Sequence, residues 1–287
     1  MDPDFLASEL LDRRPEVSRF HIVPVPMETS VSYGSGTSRG PGAILTASQQ
    51  LEAWDGHSTP LSMGIHTQEA VDCSGGVQVV LDRIGASVNR ALSFSAVPVL
   101  LGGEHTITLG ALRALKSGNS KPFAVLQLDA HADLRNVYQG SRYSHACVMR
   151  RAVDDLGLSL FQIGVRALSK EEADLRGQRS IGFLDARNLH LNGIPVTLVP
   201  QGFPDDIYIT LDVDGLDPSV IRATGTPVPG GVGWHDALTI LERFISGRTV
   251  LGFDVVELAP APGDHGSDFA AAQLVYSVMG IIQRLGR

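Results

Sequence analysis

Seven short apolar runs punctuate the chain, at residues 20–25, 97–101, 123–128, 158–163, 194–199, 207–211 and 250–255. They are rich in β-branched residues and have the length of strands buried on both faces. Segments with helical spacing lie between several of them, at 75–94, 106–117, 234–246 and 269–285. This alternation predicts an α/β fold, with a mainly parallel sheet and helices on both sides. No linker, low-complexity stretch or internal repeat interrupts the pattern, so one domain over residues 1–287 is expected. Residues 32–42, Ser-Tyr-Gly-Ser-Gly-Thr-Ser-Arg-Gly-Pro-Gly, read as a loop, either a surface turn or a wall of the site. The loop lacks the Gly-Lys-Ser/Thr ending of a phosphate loop.

Composition adds exclusions. The chain is 43% hydrophobic and 19% charged, ordinary for a compact enzyme. Its net charge is -8, with no block of like charges. That balance excludes the electrostatic footprint of a nucleic-acid binder and suits a cationic small molecule. Residues 1–14 lack the basic start and apolar run of a targeting segment, and no run approaches the ~18 apolar residues of a membrane span. No membrane partner is expected. Two distant cysteines, Cys73 and Cys147, suggest a reduced cytoplasmic chain.

Chemistry enters at the ends of the apolar runs, because ligands of an open parallel sheet bind outside the carboxyl ends of its strands. Run 97–101 leads into Gly102-Gly-Glu-His105, and run 123–128 into Asp129-Ala-His-Ala-Asp133. Run 207–211 leads into Asp212-Val-Asp214, and run 250–255 into Val256-Glu257. Each piece alone has an ordinary reading, a turn or a helix cap. Together they bring four carboxylates, Asp129, Asp133, Asp212 and Asp214, to one edge, where they repel unless cations neutralise them. Residues two apart in an extended segment point the same way, so Asp129, His131 and Asp133 can share a site. With His105 the set holds four carboxylates and two imidazoles. One zinc takes about four ligands, usually richer in sulfur or nitrogen. Six ligands dominated by oxygen suit two cations, and manganese fits this mixture best. Two such ions roughly 3.5–4 Å apart can share one water and lower its pKa towards neutrality.

These motifs resemble those of the ureohydrolases, the family of arginases and agmatinases. The resemblance is carried by Gly102-Gly-Glu-His-Thr106, Asp129-Ala-His-Ala-Asp133, Ser144-His145 and Leu211-Asp-Val-Asp-Gly-Leu-Asp-Pro218. Thr224-Gly-Thr-Pro-Val-Pro-Gly-Gly231 and Asp254-Val-Val-Glu257 complete the family's order, and Gly36-Thr-Ser-Arg-Gly-Pro41 resembles its amino-terminal loop. It implies a three-layer α/β/α domain around about eight strands, a homo-oligomer (trimer or hexamer) and two manganese ions per chain. His105, Asp129, Asp133 and Asp212 match one manganese site; His131, Asp129, Asp212 and Asp214 match the other. His145 matches the proton-shuttling histidine, Glu257 the guanidinium-binding carboxylate and Thr226 a threonine lining the site. The implied reaction is attack of activated water on a guanidinium carbon, releasing urea.

Departures narrow the branch. Arginases carry asparagine where this chain has Arg135, and glycine often follows the shuttle histidine where this chain has Ala146. Both changes resemble the agmatinase branch, which makes agmatine the expected substrate. Arg135 could instead pair a substrate carboxylate, which keeps guanidinobutyrate as the alternative. Two other classes stay open: a deacetylase-like enzyme with a single zinc, and a non-catalytic homologue. The full set of six ligands weighs against the first, the retained His145 against the second. The other six histidines, Cys147, Trp54 and Trp234 read as packing, surface or interface residues.

Overall fold

The computed structural model describes residues 2–287. Eight strands form one sheet: β1 (Phe20–Val25), β2 (Ile65–Thr67), β3 (Val97–Gly102), β4 (Phe123–Leu128), β5 (Ser159–Ile163), β6 (Gly182–Leu184), β7 (Asp206–Asp212) and β8 (Thr249–Val256). Their order is β2-β1-β3-β8-β7-β4-β5-β6, and every pairing is parallel. The helices are α1 (Gly40–Ser48), α2 (Val77–Ser93), α3 (Ile107–Gly118), α4 (Val148–Asp154), α5 (Lys170–Gln178), α6 (Ala186–Asn192), α7 (Trp234–Ile245) and α8 (His265–Leu285).

Alternation along each strand assigns its side chains to two cores. From β4, Ala124, Leu126 and Leu128 join the core beneath α1, α6, α7 and α8. Phe123 and Val125 join the core beneath α2, α3, α4 and α5. β7 divides the same way, with Ile207, Ile209 and Leu211 on one side and Tyr208 on the other. Strands covered on both faces explain why the sequence shows unbroken apolar runs.

Six of the seven runs are strands. The run 194–199 is not: it lies in irregular chain between α6 and β7. Pro195 removes a donor, Val196 is exposed, and Gly193 has positive φ, so no ladder forms there. The edge strands β2 and β6, three residues each, carry no such run. The predicted loop 32–42 ends early, because Gly40 opens α1.

The order places function. β3 and β4 are consecutive strands in the chain, yet β8 and β7 lie between them in the sheet. The four strands that end in the acidic and histidine motifs are therefore neighbours.

Candidate metal centre and active site

Asp212 ends β7, and His105, Asp129 and Glu257 follow β3, β4 and β8 within three residues, at the carboxyl edge. Close approach of main chains shapes this edge. A Cβ on Gly103 would lie 1.9 Å from the Met27 carbonyl oxygen, and one on Gly215 would lie 2.6 Å from the Asp129 nitrogen. Only glycine permits either contact.

The six expected donors converge. His105 Nδ1 lies 3.0 Å from Asp133 Oδ2, 3.2 Å from Asp129 Oδ2 and 3.5 Å from Asp212 Oδ2. His131 Nδ1 lies 3.0 Å from Asp214 Oδ2 and 3.6 Å from Asp129 Oδ1. Two groups of donor atoms result, each within 4.8 Å: His105, Asp129 and Asp212, and Asp129, His131 and Asp214. Asp129 belongs to both. Asp133 does not reach the cluster by simple alternation; its φ of 52° bends the chain and turns its carboxylate towards His105. Glu257, with φ 65°, makes a similar bend after β8. Strained backbone of this kind gathers at functional sites.

The donors fit divalent cations. His105 Nδ1 is buried, faces three carboxylates and is aligned for a hydrogen bond with none. Burial, with Asp214 and Asp129 adding to it, raises the Asp212 carboxyl well above the usual range. Burial and Asp129 push Asp133 up to about 7. Burial opposes charge on His131, yet Asp129 and Asp214 push its pKa up to about 12. Buried like charges on this scale are what positive ions relieve.

Around the donors runs a set of hydrogen bonds that the motifs did not announce. His105 Nε2 lies 2.8 Å from Thr210 Oγ1, which donates to Asp254 Oδ1 at 2.6 Å. Tyr208 Oη and Thr108 Oγ1 donate to Asp254 Oδ2. Gln127 Nε2 donates to Asp129 Oδ2 at 2.7 Å; Gln127 in turn accepts from Gln162, and Gln162 from Arg176. Polar residues inside apolar strands were the available signal, since such groups stay buried only when bonded. Arg166 donates only to main-chain carbonyls, including those of Asp214, Gly215, Leu216 and Val228, and ties two site loops together.

Four of the six donors, His131, Asp133, Asp212 and Asp214, line a cavity of about 460 Å³. Glu257 lines it, with Oε1 accepting the His105 main-chain N–H at 2.7 Å. His145, Thr226, Arg135, Tyr138 and Glu172 line it as well. Residues 31–34 form one wall, as one reading of the glycine-rich loop allowed. Thr226 Oγ1 reaches Asp214 Oδ2 at 3.5 Å. Arg135 is exposed, and its guanidinium lies 5.3 Å from the centre of the Tyr138 ring. Glu172 caps α5, accepting the Ser169 and Leu134 N–H groups. Burial holds the His145 imidazole below its ordinary value, while Glu104 pulls the other way. His145 touches Ser32, from the glycine-rich loop, and Ser30, a residue that no sequence pattern marked.

Comparison with known proteins agrees with this geometry. The model of the arginase family matches residues 18–280, and the chain belongs to that family. It is 38% identical to the N(1)-aminopropylagmatine ureohydrolase of Synechocystis sp., over 90% of this chain and 87% of that one. It is 31% identical to the agmatinase of Pyrococcus horikoshii, over 92% of each. The crystal structure of agmatine ureohydrolase of Thermoplasma volcanium superposes with a TM-score of 0.86 at 30% identity, covering 99% of this chain and 95% of the other. The ureohydrolase resemblance and the α/β/α fold both hold. Among the described residues no helix is long and apolar enough to cross a membrane.

Proposed function

We propose that this chain is a binuclear-manganese ureohydrolase acting on a linear ω-guanidino amine, agmatine or its N1-aminopropyl derivative. One observation carries the reading: a single cavity is lined by four of the six donors, His131, Asp133, Asp212 and Asp214, together with Glu257 and His145. His105, Asp129, Asp133 and Asp212 would hold one ion, and His131, Asp129, Asp212 and Asp214 the other. Cations there would supply Lewis acidity, acidifying water and neutralising charge that develops at the reacting carbon.

The chain's own residues do the rest. Glu257 offers a carboxylate to the planar guanidinium, fixed in direction by the His105 N–H. Water adds to the guanidinium carbon and the carbon–nitrogen bond to the alkyl chain breaks. His145 delivers a proton to the departing amine, and urea remains. Thr226 steadies Asp214 at the cavity wall.

The amine end separates the candidates. The relative named for the aminopropyl derivative is the more similar of the two curated relatives, which widens the expectation of agmatine alone. Arginine would bring an α-carboxylate with no asparagine to receive it, and leaving that group unpaired costs a few kcal/mol. A second reading, a guanidino acid such as guanidinobutyrate, is favoured by Arg135, which forms no ion pair among the described residues. Urea release by manganese-loaded protein, compared as kcat/KM over agmatine, N1-aminopropylagmatine, arginine and guanidinobutyrate, tests the assignment. Preference for either amine supports it; preference for arginine overturns it.

A further inference from the structure

Glu104 and Ser30 neither join the donor cluster nor line the cavity, yet their hydrogen bonds end at His145. We propose that they are positioning residues, a carboxylate–hydroxyl–imidazole relay that holds His145 in the tautomer able to exchange a proton with the cavity. The inference rests on the proton-transfer role proposed for His145.

Glu104 is fully buried beside the donor cluster, and its carboxylate is well supplied with donors. It accepts the main-chain N–H groups of Thr29 and Ser30, the latter at 2.6 Å, and both side-chain hydroxyls. A carboxylate can only accept, so the single hydroxyl proton of Ser30 points to Glu104 Oε1, 2.9 Å away. That leaves only lone pairs on Ser30 Oγ for its other partners. One is the His145 main-chain N–H, which donates to it at 3.1 Å. The other is His145 Nδ1 at 3.2 Å, which must carry the ring proton to bond there. Ser144 Oγ, 3.3 Å from the same nitrogen, has lone pairs that serve the same proton.

A neutral imidazole protonated on Nδ1 has its free lone pair on Nε2. Nε2 is the nitrogen on the cavity side, 2.9 Å from Ser32 Oγ in the cavity wall. The Tyr138 ring, edge-on at 5.7 Å, restricts rotation of the imidazole. Nδ1 therefore stays anchored in both charge states, while Nε2 takes up and returns the proton. The ring has no need to turn during the cycle.

The test is a double-mutant cycle on manganese-loaded protein. Ser30→Ala should lower kcat roughly 10-fold or more, the usual effect of removing an orienting partner, with KM and manganese content unchanged. Glu104→Gln should act in the same direction by giving the serine proton no fixed target. In a His145→Ala background, Ser30→Ala should change kcat by less than about twofold, because both changes remove one function. A crystal structure of Ser30→Ala should show the imidazole displaced in an otherwise unchanged site. Equal losses in both backgrounds would mean that Ser30 only supports the loop, and the relay is overturned. Full activity in Ser30→Ala while His145→Ala is impaired overturns the relay alone. Full activity in His145→Ala overturns the proton-transfer role and the relay with it.

Discussion

His105 Nε2 and Thr210 Oγ1 lie 2.8 Å apart, and the threonine spends its proton on Asp254 Oδ1. Its oxygen can then only accept from the imidazole, so the ring proton sits on Nε2 and the Nδ1 lone pair is left for a cation. Thr210→Val removes the acceptor at nearly constant shape. Manganese affinity, measured by equilibrium dialysis, should fall roughly 10–100-fold, the usual cost of losing an outer partner of a ligand histidine. Unchanged affinity would show that the hydroxyl does not orient His105.

Asp129 lies in both donor groups, so Asp129→Ala should remove both ions and all activity. Asp212→Ala should do the same if Asp212 also bridges. Dialysis against a chelator should inactivate the wild type, and added manganese should restore it. Elemental analysis is the check: two manganese per wild-type chain are expected, and a variant that keeps two refutes the bridging assignment.

His145→Ala should lower turnover roughly 10²–10⁴-fold, the ordinary size of an acid–base contribution. It contributes no donor atom to either group, so manganese content should hardly move. Loss of the ions in this variant would make His145 a ligand and end its assignment to proton transfer.

The strand ends were legible because four central strands are buried on both faces and end in chemistry-bearing motifs. What stayed hidden is the layer behind. Asp254 and Gln127 stand inside apolar runs, and a polar group in a buried strand signals a bonded network without naming its partners. Ser30 and Ser32 come from a loop far from His145 in the chain, and only tertiary structure brings them to it. β2 and β6 went unread because three-residue edge strands carry too little pattern, and run 194–199 was misread because Leu198 reaches the core from irregular chain while Val196 faces solvent.

Arg135 gives the substrate reading a separate check. If a guanidino acid is turned over measurably, Arg135→Ala should raise its KM through loss of an arginine lining the cavity, and leave agmatine little affected. Steady-state kinetics on both compounds decide this. Equal effects on the two would place Arg135 in a structural role, stacked on Tyr138.

His21 sets an acid limit on stability away from the site. It is buried on β1 against His66 and Phe94, and burial holds its pKa below the ordinary 6.5. Native His21 stays neutral at pH values where the unfolded chain's histidine takes a proton. Its contribution is therefore intact above about pH 6.5 and is lost as pH falls towards the native value. His21→Phe should flatten the decline of the urea midpoint between roughly pH 7 and 5. An identical slope in variant and wild type would exclude His21 as its source.

The donor residues span 105 to 214 in the chain, yet they meet at the ends of β3, β4 and β7, whose order in the sheet is not their order in the chain. Parallel strands paired across such separations form late and slowly. A cation that needs β3, β4 and β7 together binds no intermediate lacking one of them, so its binding energy accrues only to the completed sheet. In this chain the ions would act as proofreaders of topology: a strand slipped by one residue turns its carboxylates to the wrong face, and the metal does not stay.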